Sequence, residues 1–498
     1  MAAARLSELG LSVSRGQDCT ITGLASDHRK LEKDGLFVAL SGLRAHGISY
    51  LDQAIERGAI AVLTDPAGAA QAVAQIDAAL ADGRLLALCI TQAPRAALAG
   101  AAALWFGAQP SHMVAVTGTN GKTSIASFTR QIWQAMGKPA VNLGTVGVEG
   151  DWHAPLAHTT PDPITLHEAL AGAATAGITH AAMEASSHGL DQNRLDAVQI
   201  QAAGFSNFTQ DHLDYHHDLD SYFAAKARLF QDILPSTGTA VINIDDPKLA
   251  EFATALQAAP QGPRVLTVGH DADADLRILA TRAQTAGLDL RLQYGAQIAQ
   301  VYVPLIGAFQ ADNLALAAGL VIACGAPAAD VFAALPRVSG VRGRMQLAGC
   351  RANGAAVFVD YAHTPDAVKT ALTALRPHVL GQLVAIIGAG GDRDSSKRPL
   401  MGSAAAASAD RVIITDDNPR SEDPAAIRDA VQSGAPDAQQ IPDRAEAILR
   451  AVHLLGPGDA LLIAGKGHET GQVYDGVTYP FDDIEQASLA IAALEGRA

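Results

Sequence analysis

Short apolar runs alternate with alanine-rich segments of helical spacing along most of the chain. Apolar runs of about four to eight residues between turn residues are typical of buried strands. When such strands alternate with helices, the pattern favours parallel α/β sheets. Near the N-terminus the pattern predicts strands over 36–40 and 59–64, with a helix over 50–57 between them.

The C-terminal part of the chain repeats this alternation. Apolar runs predict strands over 355–360, 383–388, 411–415 and 460–465. Their spacing leaves room for a helix after each strand, as a doubly wound sheet requires. We therefore predict an α/β fold.

The chain of 498 residues is too long for a single hydrophobic core. A polar segment at 107–111 is typical of a linker, and a second boundary is predicted near Pro336, where an alanine-rich helical run ends. We predict a smaller N-terminal α/β domain over 1–108, a central domain over 109–336 and a C-terminal domain over 337–498.

Clusters of polar residues follow directly after predicted strands. Ligands of open α/β sheets gather at the carboxyl ends of the strands, so these clusters predict one shared active cleft. The clusters are GTNGKT (118–123), EASSH (184–188), DYAHT (360–364), GGDRD (390–394) and GKGHE (465–469).

The first cluster predicts a phosphate-binding loop. A strand runs into GTNGKT, and the residues that follow have apolar side chains at helical spacing, so the loop opens a helix. Backbone N–H groups there can cradle nucleotide phosphates, with Lys122 near the β- and γ-phosphates and Thr123 on magnesium. The commoner sequence has a glycine where this chain has Val116, so the loop is a compact variant. The nucleotide-binding residues are predicted to be Gly118, Thr119, Asn120, Gly121, Lys122, Thr123 and Ser124.

Composition narrows the class of protein. The formal net charge of −15 argues against a general nucleic-acid or membrane-surface binder, which needs a basic face. The cysteines are isolated and form no zinc or disulfide pattern, which suits a reducing compartment. We see neither a signal peptide nor an apolar run of about 20 residues. We expect a cytoplasmic protein, a monomer, with no nucleic-acid or membrane partner.

The loop GTNGKT has the form found in the Mur ligases and the related folylpolyglutamate synthetases. Further segments resemble Mur ligase signatures in the expected order, so the resemblance covers the whole chain. They are EASSH (184–188), NFTQDHLDYH (207–216), YFAAKARLF around Lys226, and DYAHTPD (360–366). The resemblance implies an N-terminal UDP-binding domain, a central P-loop ATPase-type parallel sheet and a C-terminal, Rossmann-like doubly wound sheet that binds an amino acid.

The resemblance also implies an activity. Mur ligases use ATP to convert a carboxylate to an acyl phosphate, which an amine then attacks. Within the family, several segments resemble the members that add meso-2,6-diaminopimelate to UDP-N-acetylmuramoyl-L-alanyl-D-glutamate during peptidoglycan precursor synthesis. These segments are TTPD (159–162), SSHGLDQNRL (186–195), GGDRDSSKRP (390–399), DDNPR (416–420) and GKGHE (465–469).

Catalytic and metal-binding residues are carried over from the family motifs. Lys122 and magnesium on Thr123 would stabilise the charge that gathers during phosphoryl transfer. Glu184 and His212 match further metal ligands of the family. Lys226 matches a lysine that carbon dioxide carbamylates, which gives an anion able to hold a second magnesium. The catalytic residues implied are therefore Lys122, His212 and Lys226.

Contacts with the UDP-linked substrate are implied in two places. In the central domain they are Thr159, Thr160, Ser186, Gln192 and Arg194. In the first domain the family binds uridine through an Asp-Ser-Arg run, but this chain has Asp27-His28-Arg29, so His28 replaces the serine and Ser26 is the candidate substitute. A later glycine loop carries His46 where the family has an acidic residue.

The added amino acid would be bound in the last domain. The far end of meso-diaminopimelate carries an ammonium and a carboxylate, so its site needs a guanidinium fork and a carboxylate acceptor. Arg393, Arg420 and Glu469 supply that pairing, whereas a lysine-adding enzyme has no distal carboxylate to bind. Their neighbours in the family pattern are Asp417, Asn418, Pro419 and Gly465. The adenosine contacts implied are Asn313, Arg344 and Asp360, on different domains that would have to close.

Alternatives remain open from the sequence. A lysine-adding Mur ligase shares most of these motifs, and a folylpolyglutamate synthetase shares the loop and the fold but lacks the DNPR segment. A P-loop nucleotide switch without ligase activity belongs to a different class. Such a switch needs no Glu184, His212 and Lys226 together with the arginines matched to an amino acid. ATP turnover that requires both other substrates distinguishes a ligase from a switch.

Overall fold

The structure is a computed structural model that describes residues 3–42, 45–284 and 287–496. The chain forms two compact units. The first contains Met1–Val268 and Leu316–Pro327, and the second contains Gly269–Ala315 and Ala328–Ala498.

The N-terminal part of the first unit is built on a sheet with the order β2-β7-β6-β5-β4. Strands β4 to β7 are parallel to one another, whereas β2 is antiparallel to β7, and β1 pairs with β3 apart from this sheet. The strands are β1 (Ala4–Arg5), β2 (Arg15–Gly16), β3 (Thr20–Ile21), β4 (Leu24–Ala25), β5 (Gly35–Ala39), β6 (Ala59–Thr64) and β7 (Ala87–Ile90). The helices are α1 (Leu51–Glu56), α2 (Pro66–Gln71), α3 (Val73–Ala81) and α4 (Pro94–Phe106).

The strands predicted over 36–40 and 59–64 and the helix predicted over 50–57 are confirmed as β5, β6 and α1, within a residue at each end. β5 is buried on both faces, which explains its unbroken apolar run. Leu36 and Val38 belong to one core cluster, and Phe37 belongs to the other.

The central sheet of the first unit has the order β10-β9-β11-β8-β12-β13-β14. All neighbours are parallel except β10, which forms an antiparallel hairpin with β9. The strands are β8 (His112–Thr117), β9 (Ala140–Gly144), β10 (Gly147–Gly150), β11 (His180–Glu184), β12 (Ile200–Phe205), β13 (Thr239–Asn243) and β14 (Arg264–Gly269). The helices are α5 (Lys122–Ala135), α6 (Pro163–Thr175), α7 (Ser187–Asp191), α8 (Leu213–His216), α9 (Leu219–Arg228) and α10 (Pro247–Ala258).

The second unit begins with an antiparallel meander that the sequence pattern did not indicate. It consists of β15 (Leu276–Gln284), β16 (Gly287–Tyr294) and β17 (Gln297–Val303). Leu288, Leu290 and Leu292 of β16 are buried, while Arg291 between them is exposed. This is the two-residue period of a half-buried strand, which is harder to recognise than a continuous apolar run. Helices α11 (Phe309–Ala323) and α12 (Ala328–Ala334) follow.

The C-terminal sheet has the order β18-β19-β23-β20-β21-β22 and is parallel except for the edge strand β18. The strands are β18 (Gln346–Cys350), β19 (Ala356–Asp360), β20 (Leu383–Ile387), β21 (Arg411–Ile414), β22 (Gln439–Gln440) and β23 (Ala460–Ala464), followed by a hairpin of β24 (Gly471–Tyr474) and β25 (Val477–Pro480). The helices are α13 (Pro365–Leu375), α14 (Lys397–Ser408), α15 (Pro424–Gln432), α16 (Arg444–Leu454) and α17 (Asp483–Leu494).

Helices cover both faces of this sheet, so the predicted doubly wound arrangement is confirmed. Along β23, Leu462 packs into a core with α13, α14 and α15, while its neighbours Leu461 and Ile463 pack into a core with α16 and α17. Alternate side chains of a strand point to opposite faces, so a strand buried on both sides is apolar throughout. That continuous run made these strands predictable.

The α/β prediction is therefore confirmed. The domain bounds 1–108, 109–336 and 337–498 remain a prediction. In the described part of the chain, no helix combines the length and the apolar character needed to cross a membrane.

Candidate active site

The polar clusters begin where parallel strands end. GTNGKT and EASSH follow β8 and β11 of the central sheet, whose last residues are Thr117 and Glu184. The other three clusters follow β19, β20 and β23 of the C-terminal sheet. Each unit thus presents chemistry at the carboxyl edge of its sheet, as open α/β sheets do. A single cleft shared by all five clusters remains a prediction.

The loop between β8 and α5 is packed tightly against the segment after β12. Gly118 has a φ of +142°, and a Cβ at this position would overlap the Ser206 hydroxyl, so only glycine fits. Thr119 exchanges hydrogen bonds with the backbone of Thr209, and Asn120 N donates to Asn207 Oδ1 at 2.9 Å. These contacts fix the loop as it enters the helix.

Lys122 is the first residue of α5, and its side chain turns back over the loop. Its Nζ donates to the carbonyl oxygens of Gly118 and Thr119 at 2.9 and 2.8 Å. The ammonium group therefore lies at the helix N-terminus, where the backbone N–H groups of an anion site also point. Ser124 is buried in the same first turn.

Thr123 and Glu184 meet directly, although they are far apart in sequence. Thr123 Oγ1 donates to Glu184 Oε2 at 3.0 Å, and the Glu184 side chain is 2% exposed. Thr145, in the turn between β9 and β10, adds a second contact: its backbone N donates to Glu184 Oε1 at 2.8 Å. The Thr145 hydroxyl lies 3.3 Å from Glu184 Oε2 and 3.0 Å from Thr159 Oγ1. A buried carboxylate is thus oriented by threonines beside the loop, an oxygen-rich arrangement that suits magnesium.

Lys226 projects from α9 to the same loop. It is 1% exposed, and its Nζ donates to Gly118 O at 2.8 Å and lies 4.6 Å from the centre of the Tyr222 ring. Burial lowers the pKa of Lys226 well below its usual range, and Lys122 adds to the effect. At neutral pH a larger fraction of Lys226 is therefore present as the neutral amine than of a surface lysine.

His212 lies in a group of aromatic rings at the start of α8. Its ring centre is 6.1 Å from that of Tyr222 and 4.9 Å from that of His188, and its φ is +53°. Tyr222 therefore links His212 to Lys226, and its hydroxyl donates to Thr119 Oγ1 at 3.3 Å. The candidate metal ligands thus fall into two groups. Thr123 contacts Glu184 directly, and His212 and Lys226 both lie near the Tyr222 ring.

The residues predicted to hold the muramoyl substrate form one network around α7. Thr160 Oγ1 donates to Glu184 O at 2.9 Å and accepts from Ser186 N at 3.0 Å. Arg194 Nη1 donates to Thr160 O at 2.5 Å, and its Nη2 donates to Gln192 Oε1 at 2.9 Å. The network starts at Glu184, so this region continues from the phosphate loop without a break.

The Asp27-His28-Arg29 run opens a short 3-10 helix, His28–Lys30, in the N-terminal region. Asp27 caps it by accepting from Arg29 N, and the Arg29 side chain also binds Asp27 and lowers its pKa to about 2. The His28 ring stacks on Tyr50, with ring centres 4.8 Å apart and 11° between the planes. The exposed Ser26 precedes the cap.

His46, which stands where the family has an acidic residue, contacts a carboxylate that an acidic residue would repel. Its Nε2 lies 3.2 Å from Asp65, the N-cap of α2, and its Nδ1 accepts from Ile48 N at 3.0 Å. The histidine therefore ties the glycine loop to α2.

The adenosine-binding candidates of the second unit do not all meet. Asp360 ends β19 and accepts from Met345 N at 2.6 Å, and burial raises its pKa while Arg344 opposes the rise. The Arg344 guanidinium lies 4.8 Å over the Tyr361 ring. Asn313 is on α11, where its side-chain amide donates to Gln310 at 3.0 Å. No described contact joins Asn313 to Arg344 or Asp360.

The two arginines predicted to bind the amino acid flank Gly390. A Cβ on Gly390 would lie 2.8 Å from Arg420 Nη1 and 3.9 Å from Arg393 Cγ. Arg420 Nη1 donates to Gly391 O at 2.7 Å. Arg420 has a φ of +55°, and its backbone N donates to Val473 O, so the hairpin fixes its unusual conformation.

Asn418 and Glu469 form a second pair in the loops after the C-terminal sheet. They follow β21 and β23, the strands on either side of β20. Asn418 Nδ2 donates to Glu469 Oε2 at 2.8 Å. Lys466 is fully buried, and its Nζ donates to both Asn418 Oδ1 and Glu469 Oε2 at 3.1 Å. Asp417 is buried against Gly465, and Pro419 packs against Gly391.

A buried ion pair lies beneath these loops. Arg444 binds both oxygens of Asp483 at 2.7 Å, and both side chains are completely buried. Arg444 Nη2 also donates to Ala464 O at 2.9 Å, at the end of β23. Removing one member of such a pair costs about 3–5 kcal/mol, so the pair firmly anchors the strand end that leads into GKGHE.

Sequence reasoning missed several residues of these networks. Thr145 and Arg444 belong to no motif, whereas Tyr222 and Lys466 lie within the segments YFAAKARLF and GKGHE but were not assigned a role. Lys466 had a signal, because a lysine between two glycines directly after a buried strand has little apolar surface to lie against.

The chain is similar to known proteins over nearly its whole length. Residues 116–321 match a family model described as the Mur ligase middle domain, and residues 343–467 match one described as the Mur ligase glutamate ligase domain. A UDP-N-acetylmuramoyl-L-alanyl-D-glutamate–2,6-diaminopimelate ligase of Caulobacter vibrioides is 46% identical over 486 residues, which cover 96% of each chain. An enzyme of the same name from Bradyrhizobium diazoefficiens is 46% identical over 95% of each chain.

Solved structures agree with these sequence matches. The structure of a UDP-N-acetylmuramoyl-L-alanyl-D-glutamate–2,6-diaminopimelate ligase superimposes with a TM-score of 0.71 at 33% identity, covering 99% of both chains. Family models, full-length relatives and fold thus give one answer: the chain belongs to the Mur ligase family.

Proposed function

We propose that this ligase uses ATP to join meso-2,6-diaminopimelate to UDP-N-acetylmuramoyl-L-alanyl-D-glutamate in peptidoglycan precursor synthesis. One observation carries the choice of amino acid. The Arg420 guanidinium and the Arg393 side chain lie beside Gly390, and Glu469 follows the neighbouring strand of the same sheet. These groups match the distal carboxylate and the distal ammonium of a diamino diacid.

ATP overcomes the poor reactivity of the substrate carboxylate. Its γ-phosphoryl group passes to a carboxylate oxygen, which gives an acyl phosphate and ADP. The amine of diaminopimelate then attacks the acyl carbon, the amide forms, and phosphate and a proton leave. Lys122 stabilises the transferring phosphoryl group, because its ammonium is already fixed over the loop and needs no reorganisation.

The residues around the loop fit magnesium. Thr123 and Glu184 offer oxygen atoms that already lie 3.0 Å apart at the loop, and the His212 ring centre lies 6.1 Å from that of Tyr222, whose hydroxyl donates to Thr119 of the same loop. Magnesium held there would neutralise charge on the phosphoryl oxygens. Glu184 is preset for this role, because Thr145 and Thr123 fix its carboxylate and burial keeps water from competing.

Thr145 tests the role of Glu184 as a metal ligand. We expect Thr145→Val to raise the magnesium concentration for half-maximal rate by about tenfold, because the carboxylate loses one orienting hydroxyl. Thr145→Ser keeps the hydroxyl and serves as the matched control. Magnesium titrations of phosphate release measure both variants. Equal behaviour of the valine and serine variants would argue against the role.

Carbamylation of Lys226 is part of the proposal. The lysine is buried at the loop with its pKa lowered, so the neutral amine is favoured, and this is the form that attacks carbon dioxide and loses a proton to give the carbamate. A carbamate there would supply an anionic ligand for a second magnesium.

Removing dissolved carbon dioxide is expected to lower the rate by about tenfold, and bicarbonate to restore it, because one metal ligand is lost and regained. Carbon NMR with labelled bicarbonate should show a carbamate signal that Lys226→Met abolishes. Lys138→Met, which alters an exposed lysine beyond α5, is the control and should keep the signal. A rate indifferent to bicarbonate, with no signal, excludes the modification.

The UDP-linked substrate would extend from the central sheet to the N-terminal sheet. Thr159, Thr160, Ser186, Gln192 and Arg194 are proposed to bind its muramoyl and peptide portions. This is supported by their single network, which starts at Glu184. Ser26 and His28 are proposed to contact the uridine end. Asn313, Arg344 and Asp360 are proposed to bind the adenosine part of ATP.

Product analysis tests the function directly. The enzyme is incubated with ATP, magnesium, the UDP-linked dipeptide and meso-diaminopimelate, and the nucleotide products are identified by mass spectrometry. The proposal requires a UDP-muramoyl tripeptide whose mass contains one diaminopimelate residue. Formation of a lysine adduct instead supports a lysine-adding ligase, and ADP without any adduct supports a nucleotide switch. The proposal also places the enzyme in the cytoplasm, as a monomer, where cell-wall growth and division consume its product.

A further inference from the structure

A fully buried lysine in the amino-acid region has no part in the chemistry of ligation proposed above. Lys466 follows β23 between Gly465 and Gly467, which both have positive φ, at +114° and +57°. This turn directs the lysine inward, where it is 0% exposed. Burying an ammonium group costs several kcal/mol unless good partners replace water, so its partners must be well placed.

Those partners are two residues already assigned to the amino-acid site. Lys466 Nζ lies 3.1 Å from Asn418 Oδ1 and 3.1 Å from Glu469 Oε2. An ammonium group can only donate, so it requires an acceptor at each position.

This requirement fixes the orientation of the Asn418 amide. Its Oδ1 accepts from Lys466 and also from the backbone N of Val473 at 3.0 Å. The amide oxygen must therefore face these two donors, and Nδ2 must face Glu469, to which it donates at 2.8 Å. A flipped amide would set its NH2 group against two donors.

The carboxylate of Glu469 is fixed in turn. Within the described part of the chain, both hydrogen bonds to its side chain end on Oε2, from Lys466 and from Asn418. Neither of these hydrogen bonds occupies Oε1, and one-third of the side chain is exposed, so a ligand can approach the carboxylate. A carboxylate held by two donors on one oxygen presents the other in one direction.

We propose that Lys466 is a positioning residue that sets Asn418 and Glu469 for the distal ammonium group of the acceptor and so determines the preference for a diamino diacid. The inference rests on the proposed function and deepens it. Lys466 itself touches no substrate, since it is buried behind the two side chains that do. Its positive charge alone would repel an ammonium, whereas its effect on orientation favours one, so the two effects predict opposite results.

The test compares acceptors that differ at the distal end. L-2-Aminopimelate keeps the reacting amine and both carboxylates of diaminopimelate but lacks the distal ammonium. For the unaltered enzyme we expect kcat/KM for meso-diaminopimelate to exceed that for L-2-aminopimelate by about 100-fold, as a charge-assisted contact implies. Lysine, which lacks the distal carboxylate, tests the arginines separately.

Lys466→Met keeps the length of the side chain and removes its charge and donors. We expect the preference for meso-diaminopimelate over L-2-aminopimelate to fall about tenfold, through KM for diaminopimelate, while KM for ATP stays the same. Lys369→Met alters an exposed lysine on α13 and is the matched control. If the methionine variant does not fold, Lys466→Gln, which keeps a shorter donor, gives the same comparison.

The outcomes separate the two levels of the proposal. An unaltered enzyme that fails to use diaminopimelate contradicts the proposed function. If that enzyme prefers diaminopimelate and the folded Lys466 variant keeps or increases the preference, the positioning role is wrong. A loss of activity shared equally by both acceptors also overturns it, because a merely structural lysine gives that result.

Discussion

Lys122→Met is expected to lower the ligation rate by about 1000-fold, more than any other single substitution at the proposed site. The Lys122 ammonium is held over the phosphate loop by the carbonyl oxygens of Gly118 and Thr119. Phosphoryl transfer between two anions needs a cation fixed there in advance, and no water can replace it without reorganising. The rate of phosphate release with all three substrates measures the loss.

The control for this change lies at the other end of the same helix. Lys138 is exposed just beyond α5, so Lys138→Met removes a charge of the same kind without touching the loop. Its rate should match that of the unaltered enzyme. Circular dichroism shows whether both variants fold. A Lys122→Met enzyme that keeps its rate within about tenfold would mean that the loop does not position the γ-phosphate as proposed.

Arg420→Ala is expected to raise KM for meso-diaminopimelate by about 100-fold and to leave KM for ATP unchanged. The arginine offers a planar fork to the distal carboxylate, and losing such a charge-assisted pair costs about 2–3 kcal/mol. Alanine still has a Cβ, so it must adopt the same positive φ and relieves no backbone strain. The effect therefore comes from the guanidinium. Initial rates over a range of each substrate give the two constants.

Arg411→Ala is the matched control, because Arg411 is exposed at the start of β21 while Arg420 lies beyond its end. The control should leave every KM unchanged. An equal loss of diaminopimelate and ATP binding in Arg420→Ala would show that Arg420 supports the fold of the loop rather than the amino acid.

The parts of the fold that the sequence predicted well are those with continuous apolar runs. β6 and β23 are buried on both faces, so all their residues except Thr64 are apolar and their bounds follow closely from the run itself. The meander β15 to β17 was missed because its strands are buried on one face, and polar residues interrupt the pattern. The position of a polar cluster directly after a strand also predicted which clusters would lie together. GTNGKT and EASSH lie at the same sheet edge because β8 and β11 are parallel neighbours.

The contacts within the site were less predictable. Thr123 and Glu184 were each assigned to the metal from motifs, and the structure brings them within 3.0 Å. Nothing in the spacing indicated that Thr145 would orient Glu184, because a single threonine in a hairpin turn has no distinguishing pattern. Lys466 and Asn418 are likewise far apart in sequence and meet only because β21 and β23 both flank β20. Such pairs depend on strand order, which local periodicity does not encode.

The most direct test of the central claim is the rate of phosphate release from ATP in the presence of UDP-N-acetylmuramoyl-L-alanyl-D-glutamate. It is measured with meso-diaminopimelate, with lysine and with no acceptor. We predict rapid release that depends on diaminopimelate, because Arg393 and Arg420 lie beside Gly390 and Glu469 follows the neighbouring strand, as the proposed acceptor site requires. Release that depends on lysine instead, or that proceeds without any acceptor, would contradict the proposed function.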